Sequence, residues 1–154
     1  MKPVKQRYRH DPANGVWGDC HRACIASMLD LELDQVPHFG DGGPSDIEFM
    51  RRVDQFLATL DMAQVFFAFP TDIDHVHQVM RVSNPGIYWI LGGKSTTGCA
   101  HSVICLDDKI VHDPSLNDAG IVAPCDEDGC YSVTVIVHQR GGIARTRLCQ
   151  VENQ

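Results

Sequence analysis

A cysteine at the start of a predicted helix is the residue of this sequence best placed to act as a nucleophile. Gly18 and Asp19 predict a turn and an N-cap, and small or apolar residues then recur at helical spacing as far as Leu29, so Cys20 begins a helix. A thiol there lies at the positive end of the helix dipole, beside unpaired backbone N–H groups. Both favour the nucleophilic thiolate. The same pattern also fits a buried cysteine with no chemical role, because free cysteine is often a small core residue.

A base and an orienting acceptor are predicted on a hairpin late in the chain. A cysteine nucleophile needs a base for its proton, and the base needs a group that fixes its ring. His101 begins a predicted strand over residues 100–106, and Asp113 ends the returning strand over residues 109–113, with a turn at residues 107–108. Such a hairpin places the two side chains opposite each other, so we expect the Asp113 carboxylate to accept the Nδ1–H of His101. Cys20, His101 and Asp113 are then nucleophile, base and orienter.

The remaining elements follow from hydrophobic periodicity and turn signals. Ser45 and Glu48 form a capping box that opens a helix to about Leu60, and Thr71 is the predicted N-cap of a helix to about Arg81. Strands are predicted at residues 62–69, 87–91 and 131–137, a further edge strand at 144–151, and loops at 39–44, 92–98 and 115–130. The glycine-rich loop 39–44 is expected to be mobile and to border a cleft. Helices that precede a mostly antiparallel sheet predict the α+β class.

Composition narrows the possible functions and location. A chain of 154 residues suits one domain, and the net charge of −7 argues against nucleic acid as a partner. No apolar run approaches the roughly 20 residues of a membrane span, and the start lacks the apolar segment of a secretory signal. Seven cysteines, an odd number, are expected to be reduced in a cytoplasmic setting. Their spacing matches structural zinc sites poorly, so no metal is expected.

Three segments in order carry a family resemblance. Residues 19–29 read DCHRACIASML, residues 101–104 read HSVI, and residues 111–114 read VHDP. Together, over about residues 14–137, they resemble the papain-like cysteine peptidase superfamily, and within it the small bacterial and phage peptidases of the C39-like kind. The resemblance implies one papain-like domain over residues 1–154, with N-terminal helices packed on a C-terminal antiparallel sheet. It further implies a thiol protease that cleaves a peptide or isopeptide amide bond through an acyl-thioester, with a peptide or protein substrate and no cofactor.

The oxyanion donor is the point at which this chain departs from the resemblance. Such enzymes usually carry a glutamine six residues before the nucleophile, and Asn14 occupies that position here. Its amide is one methylene shorter but has the same donor, so Asn14 is favoured; Gln6 has the expected side chain but lies further upstream. The backbone N–H of Cys20 is the second donor. Trp17 and His38 are candidate substrate-binding residues.

Other functions remain open at this point. The same triad transfers acyl groups to amines, or cuts the stem peptides of peptidoglycan, in related folds. The chain also fits a binding module that keeps the fold while Cys20 is only structural. A zinc-stabilised domain is a third possibility. His21, one residue past the nucleophile on the helix, is expected to point about 100° away from it.

Overall fold

A five-stranded antiparallel sheet lies at the centre of the computed structural model, which describes residues 1–125 and 128–139. The α+β class is confirmed within these residues. The strand order is β1-β5-β2-β3-β4. The elements are α1 (Cys20–Met28), α2 (Asp46–Ala58), β1 (Met62–Phe69), α3 (Ile73–Ser83), β2 (Tyr88–Lys94), β3 (Ala100–Leu106), β4 (Lys109–His112) and β5 (Tyr131–His138), with short 3-10 turns at Pro12–Asn14 and Leu33–Gln35.

Helices cover both faces of the sheet. Ile90 and Ile104 pack against the helices α1 and α2, whereas Trp89, Leu91 and Val103 pack against α3. Alternate residues of β2 therefore enter different cores, which is why this strand is an almost continuous apolar run. The strand predicted over residues 87–91 is buried on both faces at Trp89, Ile90 and Leu91, but Ile87 precedes β2, and Ile87 and Tyr88 are exposed.

Two glycines predicted to be in a loop belong to β2 instead. Gly92 pairs with Ser102 on one side and with Ser132 on the other. A Cβ at Gly92 would lie 2.2 Å from the Ser132 Oγ, so the strand needs a residue without a side chain there. These glycines therefore reflect close packing inside a sheet and not a loop.

The helix starts also differ from the predictions. The N-cap of α3 is Asp72, whose carboxylate accepts the His75 N–H, and not Thr71. Ser45 caps α2 as predicted, but the Glu48 carboxylate binds Arg51 and Arg52 instead of reaching back to the cap.

Two further expectations concern the C-terminal edge strand and a membrane span. The proposed edge strand at residues 144–151 lies outside the described residues. No helix in the described part of the chain combines the length and the apolar character that a membrane span requires.

Candidate active site

Cys20 is the first residue of α1 and lines a cleft of about 610 Å³. The rest of the helix anchors it, since Ala23, Cys24 and Ile25 are fully buried. The Asp19 side chain makes no capping bond to the first turn. The backbone N–H groups of that turn are therefore not bonded by the Asp19 side chain.

His101 and Asp113 are joined, as the hairpin argument predicts. The His101 Nε2 lies 2.8 Å from the Asp113 Oδ1. Two details of the prediction are wrong. The bonded nitrogen is Nε2 and not Nδ1, and Asp113 is not directly opposite His101. A bulge pairs Ile104 with His112, so the carboxylate reaches the ring from just beyond the end of β4.

The loop that follows β4 holds Asp113 as a carboxylate. Its Oδ1 also accepts the Ser115 N–H at 2.8 Å, and its Oδ2 accepts the Gly120 N–H at 2.7 Å. Burial alone would raise the pKa of Asp113, but the hydrogen bonds from Ser115, Gly120 and His101 outweigh it and lower the pKa to about 2. The group facing His101 is therefore negatively charged at neutral pH.

The His101 ring interacts with Cys20 as well as with Asp113. Burial lowers the pKa of His101, but hydrogen bonding and charge interaction with Cys20 and then with Asp113 outweigh it, so the pKa lies above its ordinary value. Because Asp113 occupies Nε2, the nitrogen left for Cys20 is Nδ1. The structure thus brings together all three predicted residues in the order thiol, imidazole, carboxylate.

Two neighbouring cysteines lie in a different environment. Burial raises the pKa of the Cys24 thiol well above its ordinary value, and burial also raises the pKa of Cys105. Both therefore remain neutral thiols in the core.

Asn14 does not reach the cleft, which corrects the preference for it as oxyanion donor. It ends an exposed 3-10 turn, and its amide donates to the Asp11 carboxylate at 2.7 Å. Gln6, the alternative, is half-buried and lines the cleft with Cys20. Its Nε2 donates one hydrogen to the Tyr8 carbonyl at 3.1 Å, which leaves the second N–H of the amide for another acceptor.

Trp17 lines the cleft and forms part of its wall. Its ring packs on Gly43 so closely that a Cβ at that glycine would lie 2.3 Å from the Trp17 Cζ2. His38 is not among the lining residues. Its Nε2 lies 3.0 Å from the Trp17 carbonyl oxygen, so His38 supports the wall from behind.

The loop over residues 39–44 borders the cleft, as predicted. Phe39, Gly40, Gly43 and Pro44 line it, and Phe39 is also buried in the core. The Arg52 guanidinium holds the Phe39 carbonyl at 3.0 Å and that of Asp41 at 2.8 Å. The mobility of this loop stays a prediction, and these contacts fix one end of it.

His21 is a cleft residue that the sequence argument placed elsewhere. Its Nδ1 lies 3.3 Å from the Ser102 Oγ, and its ring meets Phe49 edge-on. Burial lowers its pKa to about 4, so it is neutral at pH 7. Nothing in the local sequence distinguishes it, because its burial depends on α2 and β3.

Neither metal ligands nor similarity to known proteins assigns a function to the described part of the chain. Across residues 1–125 and 128–139, no three His, Cys, Asp or Glu side chains are grouped so that they could hold a metal ion. No family model matches the chain, and no curated protein or solved structure matches it either. A papain-like assignment therefore rests on the three sequence motifs and on the geometry of Cys20, His101 and Asp113, and it is a proposal.

Proposed function

We propose that this protein is a papain-like cysteine hydrolase that cleaves a peptide or isopeptide amide bond. The observation that carries the proposal is the position of His101. Its ring interacts with Cys20 at the start of α1 and binds Asp113, and both Cys20 and His101 line the cleft. Acyl transfer by a cysteine requires a nucleophile, a base and an orienting group arranged in this spatial order.

The acylation step follows from this arrangement. The Cys20 thiolate attacks the substrate carbonyl carbon, and the carbonyl electron pair moves to oxygen. The Cys20 N–H and the free N–H of Gln6 stabilise this oxyanion. The C–N bond then breaks as the His101 imidazolium gives its proton to the leaving amine, which leaves a thioester on Cys20.

Deacylation uses the same groups in reverse roles. His101, now neutral, takes a proton from water as the water oxygen attacks the thioester carbonyl. The C–S bond breaks, an acid is released, and the thiolate and imidazolium are restored. Asp113, with its pKa of about 2, remains ionised throughout and stabilises the imidazolium in both halves.

The cleft suits a peptide. Its volume of about 610 Å³ falls within the roughly 300–1,000 Å³ of typical ligand sites, and its lining mixes apolar with polar side chains. A peptide or protein substrate in the cytoplasm is part of this proposal.

Thiol reactivity tests the proposal directly. We expect iodoacetamide to alkylate one thiol rapidly at neutral pH, and we expect Cys20→Ala to lose that reaction while keeping the fold. Cys130→Ala is the matched control, because Cys130 is also half-buried but lies outside the cleft. If Cys20 reacts no faster than Cys130, the hydrolase assignment fails and a binding module with a structural cysteine is the better description. Cleavage of a peptide library by wild type, but not by Cys20→Ala, would identify the substrate.

A further inference from the structure

An N-terminal strap, residues 4–8, ties the nucleophile helix to the orienter loop. On the helix side, the buried Asp19 carboxylate accepts the N–H groups of Arg7 at 3.0 Å and Tyr8 at 2.8 Å. The same carboxylate pairs with the buried Arg22 guanidinium at 3.3 Å. Asp19 therefore binds the strap with the side chain that its sequence position predicts to be a helix cap.

On the other side, the strap binds the end of β4 and the residues after it. The Gln6 N–H donates to the Pro114 carbonyl at 2.8 Å, and the His112 Nε2 donates to the Val4 carbonyl at 2.8 Å. Pro114 directly follows the orienter Asp113. Any change in the path of the strap therefore acts on the loop that holds the triad carboxylate.

Lys5 makes the most extensive contact of the strap with this loop. Its ammonium donates to the carbonyl oxygens of Asp113 at 2.9 Å and Ser115 at 2.7 Å, and to the Asp118 Oδ1 at 2.9 Å. An ammonium has three donors, and all three are used here. The ammonium thus binds the loop over residues 113–120 at three points.

We propose that Lys5 is a positioning residue for the triad, which acts by holding this loop in the shape that orients Asp113 toward His101. The inference rests on the proposed function for its catalytic meaning. The loop supplies two of the three N–H donors on the Asp113 carboxylate, from Ser115 and Gly120. By fixing the backbone at residues 113 and 115, Lys5 keeps these donors aimed at the carboxylate.

Lys5 acts on Asp113 through the shape of the loop and not through its charge. The groups that set the pKa of Asp113 are its hydrogen-bond donors and its burial, and Lys5 is not one of the leading causes. Lys5 instead binds the backbone carbonyls of Asp113 and Ser115. Its removal would let the loop relax, loosen the carboxylate from His101, and so weaken the imidazolium that partners the thiolate.

Lys5→Met tests the proposal, with Lys2→Met as a matched control. Both changes remove one positive charge from the first few residues of the chain, but Lys2 lies outside the strap and pairs with Glu32 instead of the loop. We expect Lys5→Met to lower the His101 pKa, measured by NMR titration of the imidazole, by about one unit. At pH values around the wild-type His101 pKa, the imidazolium that partners the Cys20 thiolate is then less populated, so the rate of Cys20 alkylation there should fall by up to about tenfold, since one unit is a tenfold change in the protonation equilibrium. Lys2→Met should match wild type in both measurements. A folded Lys5→Met protein with the wild-type titration and alkylation profile would overturn the proposal, whatever its stability.

A second variant covers the case in which Lys5→Met does not fold. Asp118→Asn weakens one of the three Lys5 contacts, and its side chain is largely exposed. We expect a smaller shift of the His101 pKa in the same direction, and an unchanged titration would also overturn the inference. The proposed function fails separately, if Cys20 in the wild type shows no accelerated alkylation. A His101 pKa that still responds to Lys5→Met would in that case support the positioning of the His101–Asp113 pair.

Discussion

Removing the carboxylate of Asp113 should disable the site without removing the nucleophile. In Asp113→Ala, three donors lose their acceptor: the His101 Nε2–H and the N–H groups of Ser115 and Gly120. A hydrogen bond to a charged group contributes about 1.5–3 kcal/mol. Loss of the His101 bond alone therefore predicts a fall of about 10- to 150-fold in kcat/KM, because about 1.4 kcal/mol in the barrier is a factor of ten.

Asp113→Asn should have an intermediate effect, for a reason visible in the hydrogen bonds. The Oδ1 atom accepts from both His101 and Ser115, and an amide oxygen can keep both bonds in weaker, uncharged form. The Oδ2 atom accepts from Gly120, and the amide NH2 that replaces it would place a donor against a donor. We therefore expect Asn to retain part of the activity at some cost in stability.

The pH dependence of stability gives an independent check. The pKa of Asp113 is about 2 in the folded protein, against 3.8 as the reference for an unfolded chain. A folded-state pKa below the unfolded value stabilises the fold above about pH 4, by about 2 kcal/mol, and this contribution is lost as the pH falls toward 2. Asp113→Asn cannot titrate, so its free energy of unfolding should fall less steeply over that range.

The assay is the rate of Cys20 alkylation against pH for wild type, Asp113→Asn and Asp113→Ala, with circular dichroism to confirm folding. We expect the rate below the His101 pKa to fall in the order wild type, Asn, Ala. An unchanged profile in folded Asp113→Ala would remove Asp113 from the mechanism and leave a Cys–His dyad.

Three further predictions concern the residues around the triad. Gln6→Ala should lower kcat about 10²- to 10³-fold, as loss of an oxyanion donor does, whereas Asn14→Ala should not; the reverse result would restore Asn14 as the donor. Cys24→Ala should lower the free energy of unfolding by about 1 kcal/mol in urea denaturation and leave alkylation of the nucleophile unchanged; a slower alkylation would contradict a purely structural role. Gly43→Ala should raise KM for peptides, because its Cβ would displace the Trp17 ring and φ is +63°, and an unchanged KM would argue against this wall as a substrate contact.

The features that the sequence predicts well are those that depend on nearby residues. The apolar residues of β3 and the turn at residues 107–108 predict the β3–β4 hairpin, and the hairpin brings His101 to Asp113. The start of α1 at Cys20 follows from the Gly18 turn and the helical spacing after it.

The features that it misses depend on contacts between distant segments. Gln6 reaches the cleft because Asp19 and Pro114 hold the strap, and Lys5 contacts a loop more than 100 residues away. The rule that the oxyanion donor lies six residues before the nucleophile uses only the local sequence, and this rule therefore favoured Asn14. Ile47 shows the same limit within a helix: it belongs to the apolar stripe of α2, yet 85% of its surface is exposed.

The place of β5 in the sheet bears on how the protein is made. This strand is the last of the described chain to leave the ribosome, but it lies inside the sheet, between β1 and β2. It pairs with β1 along eight residues and with β2 around Ile90–Thr134. Until residues 131–138 emerge, the nascent chain therefore holds β1 as a single unpaired strand beside the β2–β4 sheet, and joining them requires contacts of long sequence separation, which form slowly. Folding is accordingly completed after synthesis of β5, and a chain that stops before it leaves the apolar inner edges of β1 and β2 open to aggregation.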